Sequence, residues 1–209
     1  MATGTRGHRV QTLACALCLC VSVASLTGQQ LLLDRVLARV EGNAITQTDV
    51  RAAVGLGVAS GNEDAALQAV IDRYLLLAEV QRFPPPEPAA AAVDAEVAAL
   101  RARAGSALTA LMQATGLDEP RLRETARENL RIAGYLAQRF GTDVQVSDEE
   151  VDRYYRTHQA EFVRDGLLMA FTEAEPLARQ RAAAERREAT IAAWIADLRG
   201  RAQVLRSAP

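Results

Sequence analysis

Over Val36–Val40 apolar and polar positions alternate. Val36, Ala38 and Val40 fall on one side, Leu37 and Arg39 on the other, the period of two of a strand with one buried face. Glu41-Gly42-Asn43 is turn chemistry, because Gly and Asn tolerate positive φ, and Ala44-Ile45 is a brief return strand. Thr46 N-caps a helix from about Gln47, with Asp49 as the acidic half of a capping box. A lone hairpin is marginal in water, so this one needs a further strand or a helix to cover it.

Beyond Gln47 the period is helical. Leu67, Val70, Ile71, Tyr74, Leu75 and Ala78 recur at i, i+3, i+4, and Leu76, Leu77 and Val80 widen the stripe. That predicts a central helix buried on most sides, ended by Pro84-Pro85-Pro86. Val93, Val97 and Leu100 share a face of the next helix, broken by Gly105. A short helix with Leu108, Leu111 and Met112 stops at Gly116. Asp118 caps a long helix whose stripe is Leu122, Ala126, Leu130, Ala133, Leu136 or Ala137, and Phe140, with Gly141 closing it.

The sharpest start signal is Ser147-Asp148-Glu149-Glu150, a capping box with Val146 stapling onto Val151. That helix carries Val151, Tyr154, Tyr155 and His158 and gives way near Phe162, and Asp165-Gly166 marks a loop. A helix from about residue 173 to 199 ends in Ile191, Trp194, Ile195 and Leu198, with Gly200 as its C′ residue, and Gln203–Arg206 is a short strand. The fold class expected is mainly α with a small antiparallel sheet.

Composition sharpens this. Of the 209 residues 49% are hydrophobic but only 4% aromatic, and much of the apolar share is Ala, which favours helix. Every basic residue is Arg, and the formal net charge is −2. A mildly acidic chain gives no support to nucleic-acid binding. Arg6, His8 and Arg9 precede an apolar run, Leu13–Val23, and small residues then offer cleavage after Ala24 or Gly28, the pattern of a secretory signal peptide over residues 1–28. An uncleaved anchor is the alternative. Cys15, Cys18 and Cys20 all lie in that run, so the exported chain, residues 29–209, is expected to lack cysteine and any disulfide.

Candidate chemistry is sparse. His158 has no second His and no Cys outside the signal segment to join it as a metal site or catalytic pair. The acids at 148–150 are explained by the cap and the helix dipole. Gly55 and Gly57 begin no phosphate-binding loop. The Arg179–Glu188 charge run is a solvated helix face. No catalytic residue, metal or cofactor is indicated. What remains is apolar: Tyr74, Leu111, Met112, Tyr154, Tyr155 and Phe162 are candidates to line a groove for an extended hydrophobic polypeptide. The competing reading is that such stripes are core.

Three segments together resemble a known family. Leu33–Thr46 is similar to the opening of SurA-type periplasmic chaperones, Val146–Val151 with Tyr154-Tyr155 and Glu161-Phe162 resembles a segment of SurA and PrsA relatives, and Trp194–Arg199 followed by Val204-Leu205 is similar to the terminal helix and strand of that family. The similarity covers most of Leu33 to Arg206. It implies a helical chaperone core in which the C-terminal strand, 203–206, returns to the N-terminal hairpin, 34–46. Family members usually carry parvulin isomerase domains before the terminal helix. Here only about Val163 to Thr172 stands in that place, and the parvulin motifs are absent. The resemblance thus implies an exported, ATP-independent chaperone-like protein without isomerase activity. Its partners would be unfolded or nascent exported polypeptides, with no nucleic acid and no stable membrane insertion after signal cleavage. The alternatives are a peptidyl-prolyl isomerase and an assembly subunit with one dedicated partner.

Overall fold

The structure, a computed structural model, describes residues 1–4, 34–141 and 144–207. The apolar run read as a signal peptide lies outside the described residues. From Asp34 onward the chain forms one compact unit.

Strands β1 (Val36–Val40) and β2 (Asn43–Thr46) form the expected hairpin. The turn is two residues long, and both have positive φ: Glu41 at 48° and Gly42 at 84°. That geometry matches the right-handed twist of the flanking strands. Asn43 is not a turn residue; it pairs with Val40. The alternation inferred for β1 is also broken. The register slips between Val36 and Ala38, so Leu37 is the extra residue of a bulge. Leu37, Ala38 and Val40 are therefore all buried, and only Arg39 faces water in the later part of the strand.

Helix α1 (Gln47–Gly55) starts at Thr46, whose hydroxyl accepts from Asp49 N–H while the Asp49 carboxylate accepts from Thr46 N–H. Helix α2 (Glu63–Arg82) is capped by Asn62 and carries Leu67, Val70, Ile71, Leu75 and Val80 into the core. Ala78 is exposed and Tyr74 half-buried, so this helix keeps an open side. Helices α3 (Ala90–Ala104) and α4 (Leu108–Thr115) are joined by one 3-10 turn, Gly105–Ala107. Gly116 ends α4 in the left-handed conformation, φ 65°, where a residue with a Cβ is disfavoured.

Helix α5 (Glu119–Phe140) departs from its expected stripe. Leu122 and Ala126 are buried against α3, but Ala133 is exposed and Tyr135 is buried instead. The two halves of the helix meet different neighbours. Beyond Leu130 the facing surface includes the end of helix α7 (Phe171–Arg201), where Tyr135 and Phe140 lie 5.9 and 5.3 Å from the Trp194 ring.

Helix α6 (Asp148–Thr157) has the expected capping box, Ser147 with Glu150. A 3-10 turn, Gln159–Phe162, leads into a small hairpin not anticipated from the sequence, β3 (Val163–Arg164) and β4 (Leu167–Leu168), turning on Asp165 and Gly166 at φ 50° and 81°. Gly200 is not the C′ residue of α7. The helix continues to Arg201, and Ala202 leaves it in extended geometry, φ −83° and ψ 148°. No left-handed residue is needed there, because the chain passes straight into β5 (Val204–Arg206).

Strand β5 pairs antiparallel with β1, Ala38 with Arg206, Arg39 with Leu205 and Val40 with Val204. The sheet order is β2-β1-β5, so the two ends of the described fold close on each other. The sheet's inner face, α2 and the end of α7 share one core: Leu37, Val40, Ile45, Ile71 and Leu198, with Trp194 packed on it. Burying a side chain such as Ile45 contributes about 2–3 kcal/mol. A second core lies between α3, α5 and Leu56 at the end of α1, and a third between α6, Phe162 and the start of α7.

Candidate functional site

The six apolar candidates do not meet in one groove. Tyr74 borders the first core, Leu111 and Met112 pack on the second, and Tyr154, Tyr155 and Phe162 belong to the third. Phe162 is fully buried, and the two tyrosines close over it with ring centroids 6.3 and 5.1 Å away. Both hydroxyls are engaged, Tyr154 donating to Glu161 at 3.1 Å and Tyr155 to the carbonyl of Met169. Burial, helped by Glu161, holds the Tyr154 hydroxyl above its ordinary pKa, so it stays a donor. Phe162 is core, the two half-buried tyrosines pack on it, and together they mount the β3–β4 hairpin on α6 and α7. His158 stacks on Tyr154 at 4.0 Å, and its Nδ1 lies 3.1 Å from the Tyr154 carbonyl.

Leu111 lies at the rim of something different. Helix α4 crosses α1 so closely that a Cβ on Gly55 would stand 2.6 Å from both Leu111 methyls. With Leu111 in this rotamer only glycine fits at position 55. Beside the crossing is an open cleft of about 500 Å³ lined by Leu37, Val50, Val54, Ala66 and Leu111, with Arg51 and Glu63 among its few charged groups. Val54 is 43% exposed in it. The hydrophobic stripe that puts Val50 and Val54 here is visible in the sequence as an i, i+4 pair on α1. Leu37 is here because of the bulge, for which the sequence gives no signal.

A second cleft, about 470 Å³, runs between α1, α2 and α5 beside Tyr74. Its lining includes the apolar Val58, Val70 and Leu77 together with charged Asp49, Arg73, Arg121, Glu124 and Glu128. Arg73 donates to Asn129 Oδ1 at 2.6 Å, to Glu128 Oε2 at 2.8 Å and to the Thr125 carbonyl at 3.3 Å. Asn129 in turn donates to Glu96, which also accepts from Arg103 at 2.9 Å. This chain of bonds ties α2, α5 and α3 together. Burial, with Asp49 and Glu128 adding to it, raises the pKa of the Tyr74 hydroxyl. Tyr74 is accordingly a neutral donor at physiological pH, suited to hydrogen bonding and not to base chemistry.

Among the described residues no group of three or more His, Cys, Asp or Glu could hold a metal ion. No helix among them is long and apolar enough to cross a membrane. The α1–α4 cleft is the arrangement with the clearest chemical meaning: an apolar depression, open to water, with few polar groups to dictate an orientation. Comparison of the chain with protein-family models, with curated proteins and with solved structures finds no match.

Proposed function

We propose that this protein is an exported, periplasmic, ATP-independent holding protein that binds unfolded outer-membrane or secreted polypeptides by shape-tolerant apolar contact. The observation that carries the reading is the open cleft between α1 and α4, lined by Leu37, Val50, Val54, Ala66 and Leu111. Its volume of about 500 Å³ falls in the range of small-ligand sites, about 300–1,000 Å³, with room for bulky apolar side chains. Each client side chain buried there would contribute about 1.5–3 kcal/mol. Few polar groups line it, so it does not select one sequence. The resemblance of the hairpin, the capping-box helix and the terminal helix and strand to SurA-type chaperones supports the same reading. In this proposal the protein does not catalyse prolyl isomerisation.

The test is dilution of a urea-unfolded outer-membrane barrel protein into buffer with an equimolar amount of this protein and no nucleotide. Light scattering is expected to fall well below that of the client alone. Undiminished scattering would count against the proposal, and acceleration of proline-limited refolding at substoichiometric protein would replace it with an enzyme.

A further inference from the structure

Between α2 and α3 runs Phe83-Pro84-Pro85-Pro86-Glu87-Pro88. Proline fixes φ near −65°, and a residue preceding proline is held out of the helical region. Phe83 stands before the path, at φ −133° and ψ 76°; the successive prolines set a polyproline II path from Pro84, and Ala89, at φ −61° and ψ 145°, still follows it.

The path is fastened on one side only. Pro85 is buried against Gly134 of α5, where an added Cβ would lie 3.4 Å from the Pro85 Cβ. Glu87 pairs with Arg127 of α5 at 3.2 Å. The opposite side faces water. Phe83 is 58% exposed and is the one aromatic among the large exposed hydrophobic side chains of the described residues. Pro84 and Pro86 are exposed beside it. Among the described residues, no hydrogen bond reaches the carbonyls from Phe83 to Glu87, and the prolines have no N–H of their own.

The result is a rigid ridge of apolar rings with free acceptors and almost no donors. Its complement is a groove of stacked aromatic rings whose indole N–H or phenol O–H points at the ridge. Because the backbone is already ordered, docking would cost little conformational entropy. We propose that Phe83–Pro86 is a docking ridge for a partner protein that presents such an aromatic groove. The ridge shares no lining residue with the α1–α4 cleft.

The experiment is calorimetric titration of the full chain with two isolated domains whose aromatic grooves read polyproline, a WW domain and a Src-homology-3 domain. At least one is expected to bind with a Kd below about 1 mM. Phe83→Ala and the double variant Pro84→Ala/Pro86→Ala should each weaken that binding at least about fivefold, with unchanged far-UV circular dichroism. Leu205→Ala, at an exposed side chain elsewhere, should leave it unaltered. The proposal is overturned if neither domain binds below about 1 mM, or if the ridge variants bind as tightly as the parent chain.

Discussion

Glu41 and Gln203, 162 positions apart, hold each other by two hydrogen bonds: the Glu41 N–H donates to the Gln203 carbonyl at 3.1 Å, and the Gln203 N–H donates to Glu41 Oε1 at 2.8 Å. Glu41 sits at φ 48°, a conformation that costs a non-glycine residue about 1 kcal/mol. Its return is the capture of β5 on the open edge of β1. Without that strand the hairpin would keep an unpaired edge over an apolar core.

Glu41→Ala should therefore lower stability by about 1 kcal/mol, through loss of the acceptor for Gln203. Glu41→Gln retains an acceptor oxygen and should stay within about 0.5 kcal/mol of the parent. Urea unfolding followed by circular dichroism reads both, and equal loss in the two variants would show that charge, not the hydrogen bond, matters here.

Phe162, by residue type a candidate for client contact, is fully buried beneath Tyr154 and Tyr155. Phe162→Ala is expected to cost about 3–5 kcal/mol and to release the β3–β4 hairpin, seen as faster amide exchange at Met169, whose N–H donates to the Phe162 carbonyl at 2.9 Å. A stable variant with weakened client binding would mean that the residue is reached by clients after all.

Gly55→Ala places a methyl 2.6 Å from Leu111. It should destabilise by about 1–3 kcal/mol. Leu111→Ala removes the clashing methyls, so the double variant should lose less than the two single losses combined. Strict additivity in the double-mutant cycle would contradict the close α1–α4 approach.

Glu150 has its carboxyl held below the ordinary 4.5, first by the Ser147 N–H and then by Arg186 among nearby charges. A lowered acid stabilises the fold above its unfolded pKa, and the gain disappears as pH falls through the folded one. The start of α6 should accordingly fray below about pH 4.5, in the ordinary glutamate range. Glu150→Gln keeps the cap and should flatten that dependence. Amide exchange at residues 148–151 across pH 3–6 measures it, and the same acid fraying in the glutamine variant would point to another group.

The parts of this fold legible in the sequence are those set by local chemistry. Thr46 with Asp49, Ser147 with Glu150, and Gly116 each fix a helix end within a few residues, and the structure places them as expected. What escaped was set by distant partners. Tyr135 is buried because α5 changes neighbours halfway, toward Trp194, some sixty residues on. Gly200 stays helical because β1 dictates where the chain leaves α7. Residue type alone points to the candidate aromatics, and it does not tell a core ring from a binding ring. Val50 and Val54 show in the sequence as an i, i+4 pair, but Leu37, itself buried, reaches the cleft through a bulge, and a bulge has no periodic signature.

The central claim is that apolar clients enter the cleft between α1 and α4. Val54 is 43% exposed there, so Val54→Asp should leave the fold intact while placing a charge on the cleft wall. The measurement is fluorescence anisotropy of a labelled, unfolded barrel polypeptide titrated with each protein. The account predicts saturable binding by the parent chain and binding at least about tenfold weaker by Val54→Asp. Equal affinity in the two proteins would place the clients elsewhere and contradict it.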